Sequence, residues 1–141
     1  AIGAIHRLLN LGVPAYWLAS TVVGIVYQLL IRKICPNCRE EYLLSPEELQ
    51  LICAPMESSD LKLFRGRGCP NCLGTGYKGR IAISEIVTIS PKLRDLIFEK
   101  ASILTMRDEA ANFGFQGIRQ DAIRKALTGV TTLQEITRVL G

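Results

Sequence analysis

The 141-residue sequence is short of several residue types on which chemistry often depends. It has one histidine, one tryptophan and 6% aromatic residues. The scarcity of aromatics argues against a nucleic-acid platform built on base stacking. No basic segment leads into a short apolar run and a cleavage site, so no secretory signal is visible in this sequence. No G-x-x-x-x-G-K-[ST] occurs, so the glycines are not a P-loop. Methionine is confined to Met56 and Met106, and the first residue is Ala1. The chain therefore reads as an excised or processed piece of something longer.

What is present points to a folded chain. It is 48% hydrophobic and 21% charged, with a net charge of +4. That composition excludes a disordered or fibrous polymer and fits one ordinary domain or two small ones. The mild positive charge does not by itself demand an anionic partner.

From Leu8 to Ile31 no residue is charged, with Arg7 before the stretch and Arg32-Lys33 after it. The length approaches that of a membrane-spanning helix, but Gly12 and Pro14 interrupt it. The expected arrangement is one short helix over Ile2–Leu11 and a second from Pro14 and Ala15 to Lys33. Ser20, Gly24, Gln28 and Arg32 would form a polar stripe on that second helix. A helix buried on most sides of a soluble protein is favoured over a membrane span.

Four of the five cysteines form two identical knuckles, Cys35-Pro36-Asn37-Cys38 and Cys69-Pro70-Asn71-Cys72. Two C-x2-C pairs supply four thiolates, the ligand number of a closed tetrahedral zinc site. Two disulfides are disfavoured without a secretory signal. A thioredoxin-like role is disfavoured because no βαβ pattern surrounds either pair. The predicted metal ligands are thus Cys35, Cys38, Cys69 and Cys72. With no open coordination position, the zinc would be structural rather than catalytic. Cys53 stands alone among apolar residues and is expected to be a buried thiol.

Between Leu61 and Ser84 there is no acid, while Lys62, Arg65, Arg67, Lys78 and Arg80 are basic. These cations are read first as support for an anionic tetrathiolate and as solvated surface. A phosphate or nucleic-acid patch is the alternative. The glycines around the second knuckle would allow tight turns beside the metal.

Elsewhere, Ser45-Pro46-Glu47-Glu48 is a helix start, giving a helix over Pro46–Cys53. Arg80–Ile89 is rich in β-branched residues and predicts a strand or hairpin. Ser90-Pro91 opens a run of short helices that includes Thr105–Phe113, stopped by Gly114, and Ile118–Thr128, stopped by Gly129. Thr132-x-x-Glu135 opens the last, with Leu133, Ile136 and Leu140 inward. These helices are expected to pack as a small bundle. Asp108-Glu109 and Glu47-Glu48 read as first-turn complements to a helix dipole. His6 has no base or nucleophile partner, and no catalytic constellation is visible.

The order of these features resembles a known family. Ala4-Ile5-His6-Arg7-Leu8 and Leu11-Gly12, then Leu18 to Val26 and Gln28, then Arg32-Lys33-Ile34-Cys35, are similar to successive segments of secretion ATPases. Cys69-Pro70-Asn71-Cys72-Leu73-Gly74-Thr75-Gly76-Tyr77-Lys78-Gly79-Arg80 resembles that family's C-x-x-C-x-G-T-G-Y-x-G-R segment. Arg124 to Leu127, Gly129 and Thr131 to Glu135 resemble its tail. The family is the type II secretion and type IV pilus assembly traffic ATPases. One departure stands out: Gln28-Leu29-Leu30 replaces the family's usual Gln-Arg-Leu.

The resemblance implies a mainly α fold with a small β element. Residues 1–34 would be helices closing a RecA-like ATPase domain, residues 35–80 a tetracysteine zinc module, and residues 81–141 a strand or hairpin and a helical subdomain. It implies a parent that uses ATP and Mg as a cytoplasmic homo-hexamer, peripheral to the inner membrane. Its partners would be membrane-platform proteins and neighbouring subunits, without nucleic acid. The Walker A loop, Walker B acid and histidine box are not in this chain, which should not hydrolyse ATP alone. Two other classes remain open: an autonomous zinc-ribbon module that binds nucleic acid or protein, and a chaperone-like zinc module. The second rests on a partial match of Cys69 to Gly76 to the J-protein cysteine-rich repeat.

Overall fold

A computed structural model describes residues 1–44, 48, 62–113 and 115–141. Among these, α1 (Gly3–Asn10), α2 (Ala15–Thr21), β1 (Gly24–Ile34), β2 (Arg39–Leu43), β3 (Lys62–Gly66) and β4 (Tyr77–Thr88) come first. They are followed by α3 (Pro91–Phe98), α4 (Ile103–Asn112), α5 (Ile118–Leu127) and α6 (Leu133–Leu140). The helix expected over Pro46–Cys53, the thiol of Cys53 and the stop at Gly114 lie outside the described residues. Among the described residues no helix is long and apolar enough to cross a membrane.

The expected helix over Ala15–Lys33 is corrected. It ends at Thr21, and from Gly24 the chain is the strand β1, which pairs with β4. The reason is in the side chains. Val22, Val23, Ile25 and Val26 are stiff at χ1 and favour extended backbone, and Gly24 interrupts a helix. The four-residue spacing of Gly24, Gln28 and Arg32 is a multiple of the strand repeat as well as close to the helical one, so spacing alone could not discriminate. β2 and β3 form a second, antiparallel pair with Glu40 opposite Arg65 and Tyr42 opposite Leu63.

The helix starts follow their caps. Ser90 Oγ accepts from the Leu93 amide at 3.1 Å, and Ser102 Oγ from the Thr105 amide at 3.1 Å. Thr132 Oγ1 accepts from the Glu135 amide at 3.0 Å. Each satisfies an amide that the first helical turn leaves without a partner.

The chain divides into two compact units. The first is Ala1–Gln28 with Ser84–Ile118, and the second is Leu29–Ile83 with Arg119–Gly141. In the first, Ile2, Ile5, Leu18, Val87, Ile89, Leu93, Ile97, Met106 and Ala110 form one buried apolar cluster. α3 packs against both α2 and α4. In the second, Ile31, Ile34, Leu63, Ile83, Ala122, Ala126, Leu133 and Ile136 are buried. The C-terminal helices expected to share a bundle therefore fall in different units, α3 and α4 in one, α5 and α6 in the other.

The acidic pair Asp108-Glu109 does not open a helix. It lies in the second half of α4, where Glu109 is buried and its carboxylate meets Lys92 Nζ at 2.9 Å. His6 Nε2 lies 3.1 Å from the Ala101 carbonyl oxygen, a backbone tie within the first unit.

Candidate metal centre

Each knuckle is built the same way. An extended cysteine leads into a single 3-10 turn with proline at its first position, Pro36–Cys38 and Pro70–Cys72. Proline is pre-set for that turn and has no amide to leave unpaired. The turn brings the second cysteine back over the first: the Cys38 amide donates to the Cys35 carbonyl at 3.3 Å, and the Cys72 amide to the Cys69 carbonyl at 3.1 Å.

Three contacts hold the knuckles to each other. The Cys35 amide donates to the Gly76 carbonyl at 2.9 Å, and the Arg67 amide donates to the Cys38 carbonyl at 2.9 Å. Gly66 and Gly76 lie backbone against backbone. A Cβ on Gly66 would fall 2.0 Å from the Gly76 oxygen, and one on Gly76 would fall 2.4 Å from the Gly66 oxygen. Glycine at both positions is what lets the end of β3 approach the second knuckle.

The four thiols converge as expected. The Sγ atoms of Cys35, Cys38, Cys69 and Cys72 all lie within 4.8 Å of one another. Cys35 to Cys69 is 3.9 Å, Cys38 to Cys72 is 3.8 Å and Cys69 to Cys72 is 3.7 Å. These are not disulfide lengths, which are about 2.05 Å. A tetrahedral ion with metal–sulfur bonds of about 2.3 Å sets its sulfurs about 3.8 Å apart. The donor set therefore fits one metal ion with no coordination position left over. Cys35, Cys38 and Cys72 are buried.

The backbone prepares the sulfur of Cys72 to be a thiolate. The Cys69 and Gly76 amides each donate to it at 3.2 Å. Burial pushes this thiol up, but the two amides together with the Cys69 and Cys38 thiols outweigh burial and bring it down to about 6. Burial pushes the Cys38 thiol up to about 12 against an opposing hydrogen bond from Gly68. One sulfur thus favours the anion unaided, whereas Cys38 calls for a cation at the centre of the cluster.

The basic segment around the second knuckle divides in use. Lys62 Nζ pairs with Glu41 at 3.1 Å and Arg65 Nε with Glu40 at 2.8 Å, both across the β2–β3 pair. These two cations answer the acids of β2.

A second polar cluster in this unit was not anticipated. The capping box predicted at Thr132 is only half formed, because the Glu135 carboxylate turns elsewhere. It is fully buried and accepts from the Arg32 amide at 3.0 Å, Arg32 Nη2 at 2.6 Å and Arg138 Nη2 at 2.7 Å. Burial would raise its pKa, but these donors lower it to about 2. Arg32 also lies over the Tyr77 ring at 4.1 Å, Tyr77 Oη shares a 2.7 Å hydrogen bond with Thr132, and Thr131 Oγ1 donates to the Arg32 carbonyl. The cluster links β1, β4 and α6. Arg138, one turn after Glu135, was the sequence signal for it.

Comparison with known proteins covers nearly the whole chain. Residues 1–138 match the family model described as type II/IV secretion system protein. Over 139 residues the chain is 39% identical to type II secretion system protein E of Pseudomonas aeruginosa, covering 99% of this chain and 27% of that protein. It is 37% identical over 140 residues to the type IV pilus assembly ATPase PilB of the same organism, covering 99% and 25%. To PilB of Thermus thermophilus it is 35% identical over 137 residues, covering 96% and 15%. The chain thus spans between 15% and 27% of the length of these three curated relatives.

Proposed function

Because the chain belongs to the type II/IV secretion system protein family, we propose that it is the C-terminal portion of a traffic ATPase that powers type II protein secretion or type IV pilus assembly. In this reading its N-terminal residues close a RecA-like domain that lies largely outside the chain. ATP and Mg belong to that parent, a cytoplasmic hexamer at the inner membrane. This portion contributes a zinc module and a helical subdomain for contacts with neighbouring subunits and platform proteins.

The observation that carries the zinc module is the convergence of Cys35, Cys38, Cys69 and Cys72 at tetrahedral spacing. When bound, zinc would supply a rigid crosslink between two segments that have little apolar material of their own. Metal-binding free energy then acts as folding free energy for the two knuckles, Cys35–Cys38 and Cys69–Cys72. With every thiolate engaged, the ion has no part in hydrolysis.

The decisive experiment is elemental analysis of the purified chain together with replacement of Cys69 and Cys72 by Ser. One zinc per chain, lost in the double variant, is the expected result. Absence of bound metal at neutral pH in the wild type would refute the zinc assignment. The motor assignment is tested separately, by carrying C69S/C72S in the full-length parent and scoring secretion or pilus assembly in cells. Undiminished assembly would remove the module from the mechanism.

The platform contact is assigned to the exposed basic edge of the module. Arg65 is occupied by Glu40, so Arg67 is the better probe. Arg67→Glu should weaken capture of the platform protein while zinc content stays at one per chain, and unchanged capture would sink this role.

A further inference from the structure

Beside the knuckles, within the second unit, lies an open cleft of about 430 Å³. Lys33, Arg39 and Lys78 line it, with Ile34, Pro36, Gly129 and Val130 completing the wall. No carboxylate lines it. The three cations come from β1, β2 and β4, so the fold gathers them from distant parts of the sequence. Elsewhere in the unit Arg32, Lys62, Arg65, Arg124, Lys125 and Arg138 each pair with an acid, while among the described residues Arg67, Arg80 and Arg119 do not but lie outside the cleft lining. Among the described residues no acid pairs with Lys33, Arg39 or Lys78.

Arg39 is held in place before any ligand arrives. Its guanidinium stacks on the Phe64 ring at 3.7 Å. Gly129 is what gives it room: a Cβ there would fall 2.2 Å from Arg39 Nη2 and 2.5 Å from the Phe64 ring. A guanidinium clamped on its face keeps its N–H edge available for in-plane oxyanion contacts. Clamping also removes the entropy that a free arginine would lose on binding.

The geometry points to a binding site for a phosphate group in this cleft. One carboxylate is matched by one cation. A phosphate dianion spreads its charge over several oxygens, and three converging cations answer that distribution. The cleft volume falls within the range of about 300–1,000 Å³ usual for small-ligand sites. The phosphate could belong to a free phosphate compound or to a lipid headgroup, since the recognising chemistry is the same. The competing account is that the cations only offset the negative charge of a metal tetrathiolate, to which the Pro36 wall belongs.

The test uses the metal-loaded protein, with inorganic pyrophosphate followed by titration calorimetry at low salt. In parallel, phosphatidylglycerol and phosphatidylcholine vesicles are used in flotation. The variants are K33Q/K78Q and R39Q, with R107Q on α4 as the control. All four positions are exposed, so folding should survive, and circular dichroism and zinc content are measured on each. The expected result is binding to pyrophosphate that weakens at least tenfold in K33Q/K78Q and in R39Q, is unaffected by R107Q, and leaves zinc at one per chain. Binding only to phosphatidylglycerol vesicles, lost in the same variants, supports the site and assigns the phosphate to a lipid headgroup. Binding to neither probe, or binding that the variants do not weaken, overturns it. Loss of zinc together with binding assigns the cations to the metal centre and overturns it as well.

Discussion

Both units bury apolar side chains, but they differ in how much buried polar chemistry they add. The first, Ala1–Gln28 with Ser84–Ile118, closes on a single apolar cluster whose Leu93, Ile97 and Met106 are completely buried. The second, Leu29–Ile83 with Arg119–Gly141, buries Asp121, Thr131, Thr132 and Glu135 as well as three cysteines of the cluster. Apolar packing loses stability in proportion to what is removed. A buried polar or metal cluster fails more sharply, because each partner taken away leaves the others desolvated and unpaired. Stretches such as Arg65–Arg80, rich in glycine and charge, cannot build an apolar core, and here they are fixed by sulfur, backbone contacts and ion pairs.

The largest effect should follow from taking away the zinc proposed for the four-cysteine cluster. Structural zinc in small domains contributes on the order of 10 kcal/mol at neutral pH. A strong chelator should therefore abolish amide-exchange protection at Cys35, Arg67 and Cys72, whose amides are hydrogen-bonded within the cluster. Leu93→Ala, by contrast, should cost about 2–5 kcal/mol in denaturant unfolding and leave zinc content unchanged in the folded protein. If L93A released zinc under native conditions, the contrast between the two units would collapse.

Next in size is Glu135. Glu135→Ala leaves Arg32, Arg138 and the Arg32 amide facing an empty position. The expected cost is about 3 kcal/mol, at the low end for a buried pair because both guanidinium groups are half exposed. The same residue sets a pH dependence. Its folded pKa, about 2, lies below its ordinary 4.5. The stabilisation is thus complete above about pH 4.5 and is lost as the pH falls toward 2. Glu135→Gln should flatten the stability curve in that window, and an acid limb of unchanged steepness would show that another carboxylate governs it.

The sequence made part of this legible. Cap residues and β-branched runs are local signals, so α3, β4 and the start of α6 were readable from Ser90, Thr132 and the Arg80–Ile89 pattern. Two identical C-P-N-C knuckles announced the convergence of four thiols, because the turn chemistry of each is contained within four residues. What was not legible depends on pairing at a distance. β1 looked helical because the four-residue spacing of Ser20, Gly24, Gln28 and Arg32 was read as a helical stripe over the β-branched run Val22–Val26, and nothing nearby in the sequence reveals that β4 lies beside it. Glu135 looked like the second half of a capping box because Arg32, about 100 residues earlier in the chain, is invisible from its neighbourhood. The cleft of Lys33, Arg39 and Lys78 escaped notice for the same reason: each cation, taken alone, reads as solvated surface.

The smallest effect sharpens the comparison from within the second unit. Arg65 and Glu40 face each other across β2 and β3 at 2.8 Å, the same guanidinium–carboxylate chemistry as Arg32 and Glu135. The difference is burial: the Arg65 side chain is 61% exposed and Glu40 35%, whereas Glu135 is fully enclosed. Exposed pairs of this kind contribute under about 1 kcal/mol, and salt screens them. Arg65→Gln should therefore shift the unfolding midpoint only slightly, and less again in high salt, with Glu135→Ala measured beside it as the reference. Equal losses from the two variants would mean that the polar network draws its strength from ion pairing wherever it occurs. A large gap would place that strength in enclosure, where a carboxylate deprived of water depends wholly on the donors the fold provides.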